Sequence, residues 1–399
     1  MNLSKLEKEG KKWVEKDIIS EDQLNKILKS YPKKDANVLV ILFAILLTGL
    51  AFLTFIFSDW AQVAHISRVI VLLLFTFGLY VLGNQLFSRK QVLYGVSFIM
   101  LGYVGFIASL FLVINNYEVM LFSGWPFIII TIVGLGLYVI YSHSLFYFVS
   151  LTALTIGQFY SEFTYNNYSY TLLIILIIGF GYFTFRHAHK YFAGFFGVNL
   201  VINLLILATS FTDYYYWFIV YMFVFYLIAN LIPNKSLSHV FKLISLSSMF
   251  LFNVYQASFF EESFMSEDIK LSGLFLIVLF VLASFMIILK RLTFKTIDYI
   301  YLILFIPTIY LPFPTLLTLI ILFVFSAALL IIGYKDERNQ LITYGTLAFL
   351  LSTLTVYIQY AWDVMNKSLF FLIGGLILFG FSFMLEKNRR KIKQEEERL

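Results

Sequence analysis

The sequence predicts an all-α, polytopic helical membrane protein with about 14 transmembrane helices and both termini in the cytoplasm. The chain is 60% hydrophobic and 20% aromatic but only 13% charged, and its mean hydropathy is +0.86. Ordinary soluble domains carry about 25% charged residues, so a soluble globular protein is excluded. Long apolar runs separated by a few polar residues are typical of membrane helices, whereas barrel strands alternate over about ten residues.

Residues 1–36 are predicted to form a cytoplasmic amphipathic helix pair. Ser4 with Glu7, and Ser20 with Gln23, have the spacing of a capping box, which predicts helices over 4–16 and 21–30. The segment has no apolar run typical of a cleavable signal peptide, so the first span is expected to be retained. Two helices of this size have too little apolar surface to fold alone. They are expected to rest on the membrane or on cytoplasmic loops, and docking to a protein partner is the alternative.

Residues 37–385 are predicted to form the transmembrane bundle, since a span needs about 20 apolar residues. The predicted spans are 37–58, 66–87, 91–114, 122–141, 144–160, 169–186, 190–210, 214–232, 236–260, 270–290, 296–313, 315–333, 339–359 and 367–385. Residues 386–399 follow as a charged cytoplasmic tail.

The basic residues predict the sidedness of these spans. With a cytoplasmic amino end, 26 of the 29 Lys and Arg residues fall inside, and only Arg68, Lys270 and Lys367 fall outside. A span count wrong by one would reverse the sign of every later loop, so the charges favour an even number of spans. The net charge of +6 therefore reflects topology, and membrane lipids rather than nucleic acid are the expected partners.

Few ionisable residues lie at predicted membrane depth, where such groups usually mark function. Asp59, Trp60, His65 and Arg68 converge at the predicted outer end of the second span, which predicts binding of an anionic or lipid-linked substrate. The alternative is an Arg68 side chain that extends to anionic headgroups and is held by Asp59. Asp298 is a candidate intramembrane polar site, with an interfacial carboxylate paired to nearby cations as the alternative.

Amides and prolines mark other points within the predicted bundle. Seven amides either cross-link helices or line a polar cavity, two roles that the sequence leaves open. They are Asn84, Gln158, Asn199, Asn203, Asn253, Gln256 and Gln359. Pro307, Pro312 and Pro314 are predicted to interrupt the eleventh and twelfth spans and to give a kinked, mobile hairpin.

Several kinds of chemistry have no support in the sequence. With no Cys, the chain can form no disulfide, thiolate nucleophile or Cys-ligated metal centre. His187 and His189 lack a neighbouring carboxylate or thiolate that would complete a metal site, so a loop facing headgroups is favoured. No Walker loop, dinucleotide fingerprint, nucleophile elbow or HExxH motif occurs. No catalytic residue, metal or cofactor is therefore predicted.

Three short patterns carry a family resemblance. The first pattern comprises Leu6, Trp13, Ile19, Gln23, Ile27 and Tyr31. The second is Asp59-Trp60 followed by Arg68, and the third is the stretch from Ser368 to Leu376, which contains Gly374-Gly375. In these features the chain resembles the uncharacterised bacterial membrane-protein family called domain of unknown function 2157. The resemblance implies a multi-pass protein of the bacterial plasma membrane with no assigned activity.

Three function classes fit these observations. A transporter or flippase-like carrier for an amphipathic or lipid-linked substrate would explain the many closely connected spans, the prolines and the aromatic interior. A non-catalytic accessory or sensor protein, docking through its amino-terminal helices, needs no chemistry within the membrane. A transferase or polymerase acting on lipid-linked sugars would be expected to have a larger charged outer loop. A structure in which Arg68 and the amides line a continuous cavity would favour the carrier.

Overall fold

A computed structural model describes most of the chain between the two termini. The described residues are 10–11, 13–14, 18–30, 44, 47, 54, 65–116, 124–210, 212–259, 272–289, 296–361 and six positions between 368 and 379. Most of the predicted first and last spans and all of the charged tail lie outside these ranges. The described chain divides into two compact units. The first unit takes in residues 1–121 and 137–146, and the second takes in 122–136 and 147–399.

The regular elements of the described part are all helical. The longer helices are α1 (Glu21–Ser30), α2 (His65–Ser88), α3 (Val92–Asn116), α4 (Trp125–Tyr141), α5 (Ser144–Tyr165), α6 (Tyr170–His187), α7 (Lys190–Thr209), α8 (Phe218–Leu231), α9 (Lys235–Phe259), α10 (Gly273–Leu289), α11 (Thr296–Ile303), α12 (Pro314–Lys335) and α13 (Asn339–Ala361). Short 3₁₀ helices occupy Thr212–Trp217 and Thr308–Tyr310, and Ile175–Phe180 within α6 form a π-helical segment.

The protein is an all-α, polytopic membrane protein, as the sequence predicts. Eight helices of the described part are long and apolar enough to cross a membrane, and α4 and α10 are shorter apolar helices. Helices α2 to α10 and α12 to α13 lie at the predicted spans 66–87 to 270–290 and 315–333 to 339–359. The total of fourteen and the cytoplasmic placement of the termini remain predictions.

The predicted span 296–313 is interrupted at Pro307, as the sequence predicts. Helix α11 ends at Ile303, four residues before Pro307, because a proline nitrogen carries no hydrogen to donate to the Ile303 carbonyl. That carbonyl instead accepts from the N–H of Ile306 at 3.3 Å. The sequence predicts that Pro314 interrupts a span, and this is wrong: Pro314 is the first residue of α12. A proline at this position loses no helical hydrogen bond, because the N–H groups in the first turn of a helix have no acceptor within that helix.

The amino-terminal capping box is confirmed. The Ser20 N–H donates to Oε1 of Gln23 at 3.0 Å, and the Gln23 N–H donates to Oγ of Ser20 at 3.3 Å, so α1 begins where the sequence predicts. Leu24 of α1 is buried, and a Cβ atom on Gly10 would overlap the Leu24 side chain. Gly10 thus allows close contact between the two amino-terminal segments.

Tight turns join successive helices at four of the predicted cytoplasmic positions. Lys90, Ser142, Ala188 and Glu337 have φ values of 64°, 51°, 49° and 52°. A left-handed residue just after a helix reverses the chain and lets the next helix begin at once. The helices that flank two of these turns, α2–α3 and α12–α13, form closely packed hairpins.

The second unit has its core around α8. Helix α8 is apolar on all faces, and nine of its residues are buried, including Met222 and Phe223. An all-round apolar helix of this kind is expected in the interior of a bundle. The ring of Phe223 stacks on Phe305 at 4.8 Å, so the irregular segment after α11 packs directly on this core.

Candidate functional site

The predicted outer group is only partly described. Asp59 and Trp60 lie outside the described residues, and His65 is the first residue of α2. Arg68 lies one turn further along α2 and is half-buried. Whether the four side chains converge therefore remains a prediction. Asp298 is the third residue of α11, and its role also remains a prediction.

His187 and His189 serve the turn between α6 and α7. Nδ1 of His189 accepts from the Tyr191 N–H at 3.4 Å and thereby caps α7, while the His187 ring stacks on Phe192 at 5.5 Å. Within the described ranges, no group of three His, Cys, Asp or Glu side chains is arranged to hold a metal ion.

The amides of α5 and α7 cross-link these helices. Oγ1 of Thr155 donates to Oδ1 of Asn199 at 2.7 Å and accepts from Nδ2 of Asn203 at 3.2 Å. Gln158 pairs with the backbone of Ser169: its Nε2 donates to the Ser169 carbonyl and its Oε1 accepts from the Ser169 N–H. Asn199 and Asn203 therefore cross-link α5 and α7, which is one of the two predicted roles, and none of the three amides lines the cavities described below.

Tyr168, in the loop before α6, closes this polar cluster. Its hydroxyl donates to the Asn203 carbonyl at 3.2 Å, and burial raises the pKa of the Tyr168 hydroxyl above its ordinary value. The hydroxyl therefore stays protonated and keeps its hydrogen bond at all ordinary pH values.

The chain after α11 is a buried break in a helix. Leu304, Phe305 and Thr308 are at most 3% exposed, so irregular backbone here lies within protein rather than in lipid. In a continuous helix the Thr308 N–H would reach the Leu304 carbonyl, but it donates to Ile306 at 3.0 Å. Nδ2 of Asn253, on α9, donates to the Leu304 carbonyl instead.

The threonine hydroxyls of the break are also paired. Oγ1 of Thr308 lies 2.6 Å from Oγ1 of Thr318, which itself donates to the Pro314 carbonyl. Since Thr318 has a single hydroxyl proton and uses it there, Thr308 is the donor between the two. The start of α12 is thus tied to the break.

An aromatic pocket lies beside the break, at helix ends that the charges predict to be external. Its volume is about 370 Å³. We define the aromatic pocket by its lining residues Ala208, Tyr214, Trp217, Tyr221, Ser272 and Leu274. Tyr214, Trp217 and Tyr221 each present an apolar ring with one polar atom. Such a lining suits a ligand with both apolar and polar parts.

The local sequence explains why three rings share this wall. Tyr214 and Trp217 both belong to the short segment Thr212–Trp217, and both line the pocket. Residues four apart share a face of an α-helix, which adds Tyr221 from α8. The backbone kinks at Tyr214, whose φ and ψ are −131° and 22°.

The opposite wall is fixed by Tyr310, which follows Pro307. The Tyr310 hydroxyl accepts from the Ser272 N–H at 3.0 Å and donates to the Ser272 carbonyl at 3.3 Å. Its ring stacks on Phe275 at 5.4 Å with an angle of 6° between the planes, and Phe275 also contacts Trp217. The position of Ser272 therefore depends on the segment after the broken helix.

A second cavity of about 430 Å³ shares Ala208 with the aromatic pocket. It is lined mainly by apolar residues of α7, α8 and α9, among them Leu205, Phe218 and Phe252. A small side chain at position 208 thus stands where the two cavities adjoin.

The sequence did not predict this pocket. Tyr214, Trp217, Tyr221 and Ser272 are not among the predicted site residues. The spacing of aromatic residues at 214, 217 and 221 was a usable signal. The position of Ser272 in the pocket wall could not be predicted from the local sequence, because it depends on the contact with Tyr310.

Comparisons with known proteins agree with the predicted family over part of the chain. Residues 11–147 match the family model described as "Predicted membrane protein (DUF2157)", which confirms the resemblance to that family of unknown function over this segment. No curated protein and no solved structure matches the chain. The matched segment includes Arg68 and ends before the residues of the aromatic pocket.

Proposed function

We propose that this protein is a carrier in the bacterial plasma membrane that takes an amphipathic or lipid-linked molecule into the aromatic pocket from the outer face. The observation that carries the proposal is the aromatic pocket itself, which adjoins an apolar cavity at Ala208. A headgroup would contact the polar atoms of Tyr214, Trp217 and Tyr221, and an apolar chain would extend past Ala208.

The broken helix supports movement of the pocket wall. Discontinuous helices in transporters lie beside substrate sites, because their irregular backbone can change conformation without breaking a whole helix. Here the chain after α11 leads within three residues from Pro307 to Tyr310, which holds Ser272. A change at the break would therefore shift one wall of the pocket.

The charge distribution supports a carrier without strong ion coupling. In the described part no Asp, Glu, Lys, Arg or His side chain is buried; apart from tyrosines, the buried polar side chains are Ser, Thr, Asn and Gln. Ion-coupled transporters usually place carboxylates or cations at this depth.

Transport of a fluorescent phosphatidylcholine analogue tests the proposal. The purified protein is reconstituted into vesicles, and dithionite quenching measures how fast the analogue exchanges between leaflets. We expect faster exchange than in protein-free vesicles, and a rate about tenfold lower for Trp217→Ala, as for a loss of about 1.4 kcal/mol of binding. Trp125→Ala is the control, since Trp125 is also half-buried but does not line the pocket. Exchange at the protein-free rate with folded protein would refute the carrier.

A non-catalytic accessory protein is the second candidate. The interhelical bonds among Thr155, Asn199 and Asn203 favour it, because they tie α5 to α7 and leave these amides no part in a cavity described above. Under this alternative the amino-terminal helices dock a partner, and Trp217→Ala leaves every membrane activity unchanged.

A further inference from the structure

An apolar cleft lies on the second unit at the opposite helix ends from the aromatic pocket. It has a volume of about 260 Å³ between α9, α12 and α13. Its floor consists of buried apolar side chains, among them Leu246, Phe250, Phe325 and Leu329. We call this space the apolar cleft.

The apolar cleft opens on the flank of the helices. Leu251 and Leu347 at its rim are 57% and 61% exposed, and Tyr344 is 38% exposed. In a membrane protein this flank faces hydrocarbon, so the space is accessible to an acyl chain rather than to water. Its apolar lining would not bind a headgroup.

Two cations stand at the end of the apolar cleft that the charges predict to be cytoplasmic. Lys242 lies one helical turn before Leu246 on α9, and residues four apart share one face of a helix. Arg338 lies in the turn directly before α13, three residues before Leu341, which lines the cleft. Helical side chains also tilt toward the amino end, which directs Lys242 to the interface.

The two cations differ in their surroundings. Lys242 is half-buried, whereas Arg338 is exposed and lies 3.6 Å from Asp336 in the turn before α13. An exposed pair of this kind is weak, so Arg338 can exchange Asp336 for a phosphate. Arg binds phosphate with two parallel hydrogen bonds, and Lys binds it as a point charge.

We infer that the apolar cleft binds an anionic phospholipid of the cytoplasmic leaflet, with one acyl chain against Leu246 and Phe250 and its phosphate between Lys242 and Arg338. Basic pockets between membrane helices on the cytoplasmic side recognise anionic headgroups in this way. The inference does not depend on the carrier proposal, since none of the residues of the apolar cleft lines the aromatic pocket and the predicted leaflet is the other one.

Competition between two lipids measured by native mass spectrometry tests the inference. The detergent-solubilised full chain is incubated with equal amounts of phosphatidylglycerol and phosphatidylcholine carrying the same acyl chains. We expect a preference of about 30-fold for phosphatidylglycerol in the wild type, from two cations near the surface. The double variant Lys242→Gln with Arg338→Gln should bind both lipids equally.

Matched variants separate the cleft from general charge effects. Arg186→Gln with Lys190→Gln removes two exposed cations from another turn of the same predicted side and should keep the preference. Leu347→Trp, at the exposed rim, should reduce the occupancy of both lipids, and glycerol 3-phosphate should not compete. An unchanged preference in the Lys242 and Arg338 variant would overturn the inference. Competition by glycerol 3-phosphate would also overturn it. The same holds if the cleft retains no lipid because another segment of the chain fills it.

Discussion

Nδ2 of Asn253 donates a hydrogen bond to the main-chain oxygen of Leu304 at 2.9 Å. The two residues lie on different helical segments, and the bond replaces one that a continuous helix would have made. Pro307 ends α11, and a side chain of α9 then pairs with a carbonyl that the break leaves exposed. The break is thus a supported feature of the fold.

Removing this amide should destabilise the protein. Asn253→Leu leaves the buried Leu304 carbonyl without its partner, which costs about 1–3 kcal/mol and lowers the apparent Tm in detergent. Asn230→Leu is the control, because Nδ2 of Asn230 donates only to Tyr226 of its own helix among the bonds described. Equal Tm values for the two variants would show that Asn253 does not support the break.

The α12–α13 hairpin should not tolerate a methyl group at position 345. A Cβ atom on Gly345 would lie 2.9 Å from the Leu330 nitrogen, so the two helices would have to separate. We expect Gly345→Ala to lower the free energy of unfolding by about 1–3 kcal/mol. Gly194→Ala enters open space and should stabilise α7 by up to about 1 kcal/mol. Thermal unfolding of both variants checks this, and an unchanged Tm for Gly345→Ala would contradict the close approach.

His143 should make the turn between α4 and α5 sensitive to acid. Burial lowers the pKa of His143, and its Nδ1 accepts from the Leu145 N–H at 3.3 Å. The unfolded chain therefore binds a proton more readily than the folded chain, and stability falls as the pH drops below about 6.5. His143→Asn can keep an acceptor there without titrating. Unfolding curves at pH 7.5 and 5.5 should show a smaller loss for the variant, whereas parallel losses would exclude His143 as the cause.

Cysteine labelling checks the predicted sidedness. The natural chain has no Cys, so a single introduced thiol gives an unambiguous signal. Thr164→Cys should react with a membrane-impermeant maleimide in intact cells, while Ser236→Cys should react only after permeabilisation. Both positions are exposed. The reverse pattern would invert the topology and would place the aromatic pocket on the cytoplasmic side.

Helix positions were predictable because each depends on local sequence. Ser20 and Gln23 signal the start of α1 by their spacing, and apolar length alone predicts α2, α7 and α12. Pro307 signalled an interruption, but the extent of the break did not follow from it. The length of α11 depends on whether Asn253 of a distant helix can pair with the freed Leu304 carbonyl.

The candidate site was less predictable than the fold. Charged residues such as Arg68 are predicted as site residues because ionisable groups within a membrane usually mark functional sites. The aromatic pocket instead uses uncharged rings in a sequence full of aromatic residues, where Trp217 does not stand out. Its second wall requires Tyr310 to reach Ser272 across 38 residues of chain.

Quenching of Trp217 fluorescence by a brominated lysophosphatidylcholine shows directly whether an amphipathic molecule enters the aromatic pocket. The protein keeps Trp217 alone, with the other four Trp residues replaced by Phe, and is titrated in nanodiscs. A second protein keeps Trp125 alone and reports contact with bulk lipid. We expect saturable quenching of Trp217 at about one bound molecule per chain, because the ring lines a pocket of limited volume. Quenching of Trp217 that rises linearly with the brominated lipid, in parallel with Trp125, would contradict it.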